Sequence, residues 1–224
     1  MPVLQNIRKQ FIKTQPLAGI RIAACLHLTT ETANLLITLR DGGASSMVCA
    51  SNSRSTQDEV AATLVRDYHI PVFAQRGAAA DAQETWRNVV LDSQPHIALD
   101  DGGELLNLVH TRRRELLGNL VGATEETASG LVRARLLARD GGLGYPVLAL
   151  SESATRLMAD NRFGTGQSVI DGILRAANLM LSGSQFVVAG YGRCGRAIAQ
   201  RARGMGANVI VTEVDPVKAV DALM

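Results

Sequence analysis

Three glycines in the run "VVAGYGRCGRAIAQ", Gly190, Gly192 and Gly195, follow an apolar stretch and open a helical one. This GxGxxG spacing suits a phosphate-binding turn. The first glycine permits the tight turn, the second lets a pyrophosphate approach the backbone, and the third lets helix and strand pack closely. A second apolar run, "NVIVTE", ends at Glu213, eighteen residues beyond Gly195. A carboxylate there binds ribose hydroxyls and disfavours a 2′-phosphate, so the constellation reads as an NAD site. A glycine turn with a purely structural role is the bland alternative, and an unrelated NAD-dependent dehydrogenase would need no more than these residues.

Other chemistry-bearing side chains gather after short apolar runs: "HLTTE", with His27, Thr29 and Glu31, then "SNSRSTQDE", and then "LDDGGELL". A lone histidine after an apolar strand serves equally as a structural group. Ser55 with Asp58 reads as a helix capping box, and Thr124 followed by Glu125 and Glu126 reads as an N-cap with two first-turn acids. In "LDDGGELL" two adjacent carboxylates repel each other, while Gly102 and Gly103 keep the next turn open to close approach. A ligand-facing role for Asp100 or Asp101 and a structural turn both fit that pattern.

The elements that must position these groups are short runs rich in Ile, Val, Leu and Ala alternating with longer helix-like segments. That is the rhythm of an α/β fold on a parallel sheet. Strands are expected at Ile20 to Cys25, Ser46 to Ala50, Val72 to Ala74, His96 to Leu99, Val147 to Leu150, Phe186 to Ala189 and Val209 to Thr212. The polar clusters then stand at carboxyl ends of strands, where open parallel sheets bind ligands. Helical periodicity from Val169 to Leu181, stopped by Gly183, leads into the glycine motif. The expected organisation is a parallel-sheet domain over residues 1–163, followed by the first βαβ unit of a Rossmann NAD-binding domain over 164–224.

The chain of 224 residues is 46% hydrophobic and 20% charged with a net charge of +2, an ordinary globular composition. Its one dense basic run, Arg112 to Arg114, has no interleaved aromatic residues, which argues against nucleic acid as a partner. No run reaches the length of a membrane span, and no apolar segment follows a basic N-terminus as in an export signal. Cys25, Cys49 and Cys194 form no CxxC, so neither a disulfide framework nor a zinc site is suggested, and a reducing cytoplasm fits.

The blocks "RIAACLHLTTETANLLITL", "CASNSRSTQDEVAA", "LDDGGELLNLVH", "TEETASGLVR", "DNRFGTGQSVIDGILRAANLMLSG" and "VVAGYGRCGRAIAQRARGMGANVIVTEVDPVKA", in this order, resemble the S-adenosylhomocysteine hydrolase family over essentially the whole chain. The resemblance implies reversible hydrolysis of S-adenosylhomocysteine to adenosine and homocysteine. Bound NAD would oxidise the ribose 3′-hydroxyl, the C4′ proton would become acidic, the thiol would leave, water would add, and the sugar would be reduced again.

Carried over by position, the resemblance makes His27 and Asp101 the acid/base pair at C4′ and C5′ and Glu126 the carboxylate on the ribose hydroxyls. Asp160 becomes the partner near the 3′-hydroxyl. Thr29 and Glu31 become substrate contacts, Thr127 a cofactor contact, and Asn161 a neighbour of the nicotinamide. Gly190, Gly192, Gly195 and Glu213 become NAD contacts.

Two departures stand out. Where the family carries NDxxTK this chain has "SESATR", so Ser151 replaces the asparagine and Arg156 the catalytic lysine, with Met158 and Ala159 also unusual. Arginine stays protonated in proteins, so Arg156 is expected to hold a carboxylate or the ribose rather than accept a proton. Only eleven residues follow Glu213, whereas the family continues through the rest of the NAD domain. The expectation is therefore a truncated or split protein of doubtful activity alone, acting on a small nucleoside and associating as a homo-oligomer or with a missing C-terminal half. A non-catalytic nucleoside- or NAD-binding relative is the alternative.

Overall fold

The computed structural model describes residues 1–224, which form two compact units, Met1–Leu150 and Ser151–Met224. In the first unit, β1 (Arg21–Leu26), β2 (Ser45–Ala50), β3 (Val72–Phe73), β4 (Ile97–Asp100), β5 (Gly122–Glu125) and β6 (Val147–Ala149) make one sheet. Every pairing is parallel and the order is β3-β2-β1-β4-β5-β6. This is the doubly wound order, with the direction of winding reversing between β1 and β4.

A central parallel strand is covered on both faces and so reads as continuous apolar sequence. β1 fits: Ile22, Ala23, Ala24, Cys25 and Leu26 are all buried. Alternation sends Ala23 and Cys25 to one core cluster, with Val90, Leu91, Leu105 and Val109, and sends Ala24 and Leu26 to the other, with Leu36, Leu64 and Ile70. The covering helices are α2 (Thr30–Asp41), α3 (Asp58–Tyr68), α4 (Ala80–Asp92), α5 (Glu104–Thr111) and α6 (Ala128–Arg139), while α1 (Pro2–Thr14) packs on α2.

Two local readings of the sequence are corrected here. Thr124 and Glu125 do not start a helix; they lie in β5, bonded to β4 and β6, and α6 begins later with Thr127 as its N-cap. The two-sided sheet ladder outweighs the local capping pattern. Ser55 and Asp58 form no capping box either. Ser55 closes the 3₁₀ turn Ser53–Ser55, while Asp58 accepts the Arg76 N–H at 2.7 Å.

The second unit holds a π-helical stretch, Arg156–Thr165, running into α7 (Gly166–Ala177). The boundary expected near residues 163 and 164 falls within this continuous helical segment. β7 (Gln185–Ala189), α8 (Arg193–Gly204) and β8 (Asn208–Thr212) then form a parallel βαβ unit, followed by α9 (Pro216–Leu223). Ile170, Leu181, Ala202 and Ala207 are its core, with Phe186, Ile198 and Val209 packed against them. No helix is long and apolar enough to cross a membrane.

Core position rather than hydrophobicity sets the cost of truncation. Leu36, with no exposed surface, should lose about 2–5 kcal/mol on Leu36→Ala. Val65→Ala, at a side chain 46% exposed, should change stability by less than about 0.5 kcal/mol. Urea unfolding of the two variants checks the contrast.

Candidate active site

In a doubly wound sheet the strands on either side of the reversal send their following loops in opposite directions, which opens a crevice at their carboxyl ends. His27 follows the end of β1 and Asp101 the end of β4, the two strands on either side of that reversal. The chain turns sharply after each strand. The Thr29 N–H reaches the His27 carbonyl at 3.0 Å, and Gly102 and Gly103 adopt φ of 95° and 70°, where a side chain would be strained.

The two side chains meet. His27 Nε2 lies 3.1 Å from Asp101 Oδ2, which also accepts the Ser51 hydroxyl at 3.0 Å. His27 Nδ1 lies 2.5 Å from Ser55 Oγ, and that hydroxyl in turn donates to the Asn52 carbonyl at 3.1 Å. With its proton directed at Asn52, Ser55 accepts from Nδ1–H, so both ring nitrogens face acceptors. This is the arrangement an imidazolium satisfies best. Accordingly, the hydrogen bond to Asp101 raises the His27 pKa, with the charge of Glu126 adding to it against partial desolvation. The imidazole is 46% exposed while Asp101 is only 7% exposed, so the ring rests on a buried carboxylate and presents its other surface outward.

In "LDDGG" Asp100 holds the turn, while Asp101 is set against His27. Asp100 is buried and accepts the N–H groups of Asp101 (3.1 Å), Glu104 (3.2 Å) and Leu106 (2.9 Å), which ties β4 to the start of α5. Burial, with the nearby charge of Glu125, pushes its carboxyl up to about 7 against the N–H groups of Leu106, Leu105 and Asp101.

Glu126 is half-buried beyond the end of β5, and its N–H extends the ladder to the Asp100 carbonyl at 3.1 Å. Thr127 caps α6: its hydroxyl donates to Glu125 Oε1 at 2.7 Å and accepts the Gly130 N–H at 3.2 Å. Thr29 is the N-cap residue of α2, and Glu31 in the first turn is exposed. The Thr29 hydroxyl, then its own backbone N–H and the Thr30 hydroxyl, hold the Glu31 carboxyl below its ordinary value.

In the second unit, the three glycines form the turn between β7 and α8. Gly190 has φ of 94°, Gly192 is the extended N-cap of α8, and a Cβ on Gly195 would fall 2.0 Å from the Gly190 carbonyl oxygen. No side chain caps α8, so its first-turn N–H groups remain available to an anion. Glu213 accepts the N–H groups of Tyr191 (2.6 Å), Val214 (2.8 Å) and Asp215 (3.0 Å). These bonds, Asp215 first, hold its carboxyl below the ordinary range, so it is a carboxylate at neutral pH. A tight glycine turn, an uncapped helix start and a fixed carboxylate fit a dinucleotide that lacks a 2′-phosphate. Arg156 pairs with Asp160 at 3.4 Å, and the Asn161 amide lies 3.9 Å from Cys194 Sγ, all on or beside the π-helical stretch.

Residues 1–118 match the S-adenosyl-L-homocysteine hydrolase family. The chain belongs to that family. Residues 161–224, within the second unit, match the family's NAD binding domain, so NAD is the cofactor type. Adenosylhomocysteinase of Aquifex aeolicus is 53% identical over the whole chain, which covers 54% of that relative. The adenosylhomocysteinases of Thermosynechococcus vestitus and Pyrococcus abyssi are 52% and 51% identical, with 52% and 53% of their lengths covered. The chain thus spans about half the length of the curated relatives it matches.

Sequence reasoning missed Ser51 as a partner of Asp101 and took Ser55 for a capping residue. The signal was present in the placement of "SNSRS" after β2, the strand next to β1.

A folded pKa of His27 above the ordinary value means that its pairing with Asp101 stabilises fully below about pH 6.5 and is lost as pH rises through the raised value. Asp101→Asn should therefore destabilise most at about pH 5.5 and least at about pH 9. Urea midpoints at the two pH values check the sign.

Proposed function

We propose that the chain serves the reversible hydrolysis of S-adenosyl-L-homocysteine to adenosine and homocysteine, supplying the nucleoside-binding half and the opening of the NAD site. The observation that carries this reading is the His27–Asp101 pair at the sheet's switch point, with Glu126 half-buried at the end of the adjoining strand and its charge acting on His27.

In this reading His27 and Asp101 hold and move the proton exchanged at C4′ and C5′. An imidazole whose basicity is raised by a buried carboxylate suits a group that must both take and return a proton. Glu126 accepts from the ribose hydroxyls, and Thr29 and Glu31 contact the substrate. NAD, when bound, supplies the hydride acceptor for the 3′-position. Gly190, Gly192 and Gly195 with the α8 N-terminus would hold its pyrophosphate and Glu213 its adenosine ribose; Thr127 and Asn161 are cofactor contacts by the family resemblance alone. Asp160 attends the 3′-hydroxyl. The chain works in the cytoplasm on a small molecule, as a homo-oligomer or with the remaining half of the family's sequence.

One observation favours a second reading, binding of nucleoside or NAD without turnover. Arg156 stands where the family has its lysine and is paired with Asp160. A guanidinium does not give up its proton, so the base that begins oxidation is lacking, and turnover by this chain is expected to be weak or nil.

Calorimetry with NAD and NADP, and thiol release from S-adenosylhomocysteine in the presence of NAD, separate the readings. NAD should bind in preference to NADP, and Glu213→Ala should narrow that preference by about tenfold, the worth of one charged hydrogen-bonding group. Weak thiol release that rises in Arg156→Lys supports the hydrolase reading; release absent in both, with NAD and adenosine still bound, supports the binding reading. No heat with either ligand would sink both.

A further inference from the structure

Glu125 has no surface to speak of, at 2% exposure, yet carries a carboxylate. Burying a charge of this kind is costly unless its lone pairs are fully used. Here they are. Oε1 accepts the N–H of Gly102 at 3.0 Å, the N–H of Thr127 at 2.8 Å and the hydroxyl of Thr127 at 2.7 Å, while Oε2 accepts the N–H of Gly103 at 2.8 Å. Two of these donors belong to the turn that directly follows Asp101, and the other two belong to the start of α6, directly after Glu126. One carboxylate therefore joins the two loops that carry the acidic groups of the site.

The backbone around it is shaped to fit. Gly102 and Gly103 have positive φ, which turns successive N–H groups toward the carboxylate. Gly130, in the first turn of α6, has no side chain where one would collide: a Cβ there would stand 2.2–2.5 Å from the carboxyl atoms of Glu125. A Cβ on Gly103 would in turn meet the Gly130 Cα at 3.3 Å. Three glycines thus form a cradle closed on one buried acid.

We propose that Glu125 is the positioning residue of the site: by anchoring the Gly102–Gly103 turn and the start of α6, its buried carboxylate holds Asp101 against His27. The role in turnover rests on the reading of His27 and Asp101 as the proton-transfer pair; the positioning itself does not. The groups that bear on His27 are Asp101 after β4, Glu126 after β5 and Ser55 after β2. Those that bear on Glu125 are Asp100 on the neighbouring strand and the four donors above.

The test is titration of the His27 ring by NMR in the full chain without substrate, in wild type, Asp101→Asn, Glu125→Gln and Gly130→Ala. Glutamine keeps the shape but offers one acceptor oxygen, so its NH2 must face either the Gly103 N–H or the Gly102 and Thr127 donors. Alanine at 130 keeps the carboxylate and displaces it. In both variants the His27 pKa should fall from its raised value toward the ordinary histidine value of about 6.5 and match Asp101→Asn. Should Glu125→Gln not fold, Gly130→Ala carries the comparison. A His27 pKa unchanged from wild type in a folded variant overturns the proposal. Because no substrate is present, an inactive wild-type chain whose His27 shifts as described loses the hydrolase reading and keeps the inference, and an active chain whose His27 does not shift does the reverse.

Discussion

The pairing of β1 with β4 is the constraint on which the site depends. These two strands are distant in sequence, and their parallel register sets Cys25 opposite Asp100, so the next residues, Leu26 to His27 on one side and Asp101 on the other, leave the sheet at the same level. β2 and β5 flank them in the same sense, with Cys49 opposite Cys25 and Glu125 opposite Asp100. One row across the sheet therefore fixes where four loops begin. Ser51, His27, Asp101 and Glu126 come from four different strands, yet the ladder of backbone hydrogen bonds sets their height. A slip of one residue in any pairing would turn a site residue to the opposite face.

The same row explains two acidic doublets. Asp100 is the last residue of β4 and Glu125 the last of β5, and Asp101 and Glu126 directly follow them. Asp100 and Glu125 share one face, are buried and bind backbone N–H groups; Asp101 and Glu126 are the members whose charges reach His27. Burial first, and then the charge of Glu125 in register beside it, raise the Asp100 carboxyl to about 7. The site thus gains two acidic groups whose positions are set by two others behind them. The raised Asp100 carboxyl makes the folded state less stable as pH rises toward neutrality, in the same sense as His27.

The α/β class, the parallel sheet and most strands were legible because apolar runs bounded by polar clusters are a strong local signal. β5 was not legible. "GATE" is four residues long, begins with glycine and ends in acids, so its local chemistry imitates a helix start, and only its neighbours β4 and β6 make it a strand. Glu125 was opaque for a related reason. Sequence reasoning places an acid at the surface, and its four donors come partly from residues more than twenty positions away. The roles of His27 and Asp101 came from resemblance to a family; no spacing in the sequence says that residues 27 and 101 touch. The glycine motif and Glu213, by contrast, were readable locally, since strand, turn, helix and strand follow one another without interruption.

Both units solve one problem in the same way. A turn of glycines after one parallel strand needs an acceptor for its N–H groups, and the acid at the end of the adjoining strand supplies it: Glu125 for Gly102 and Gly103 after β4, Glu213 for Tyr191 after β7. Exposure separates what the two acids then do. Glu125 is sealed, with every donor around it drawn from the protein, so its charge acts on the protein alone, on the loops it anchors and on Asp100. Glu213 is half-buried and holds its loop through backbone N–H groups while keeping an open side. In the proposed function this carboxylate, fixed on one side by backbone N–H groups, would meet a ribose hydroxyl with a charge whose position does not depend on it. The burial of the acid, more than its identity, decides whether the shared strand-end arrangement builds a site or becomes part of one.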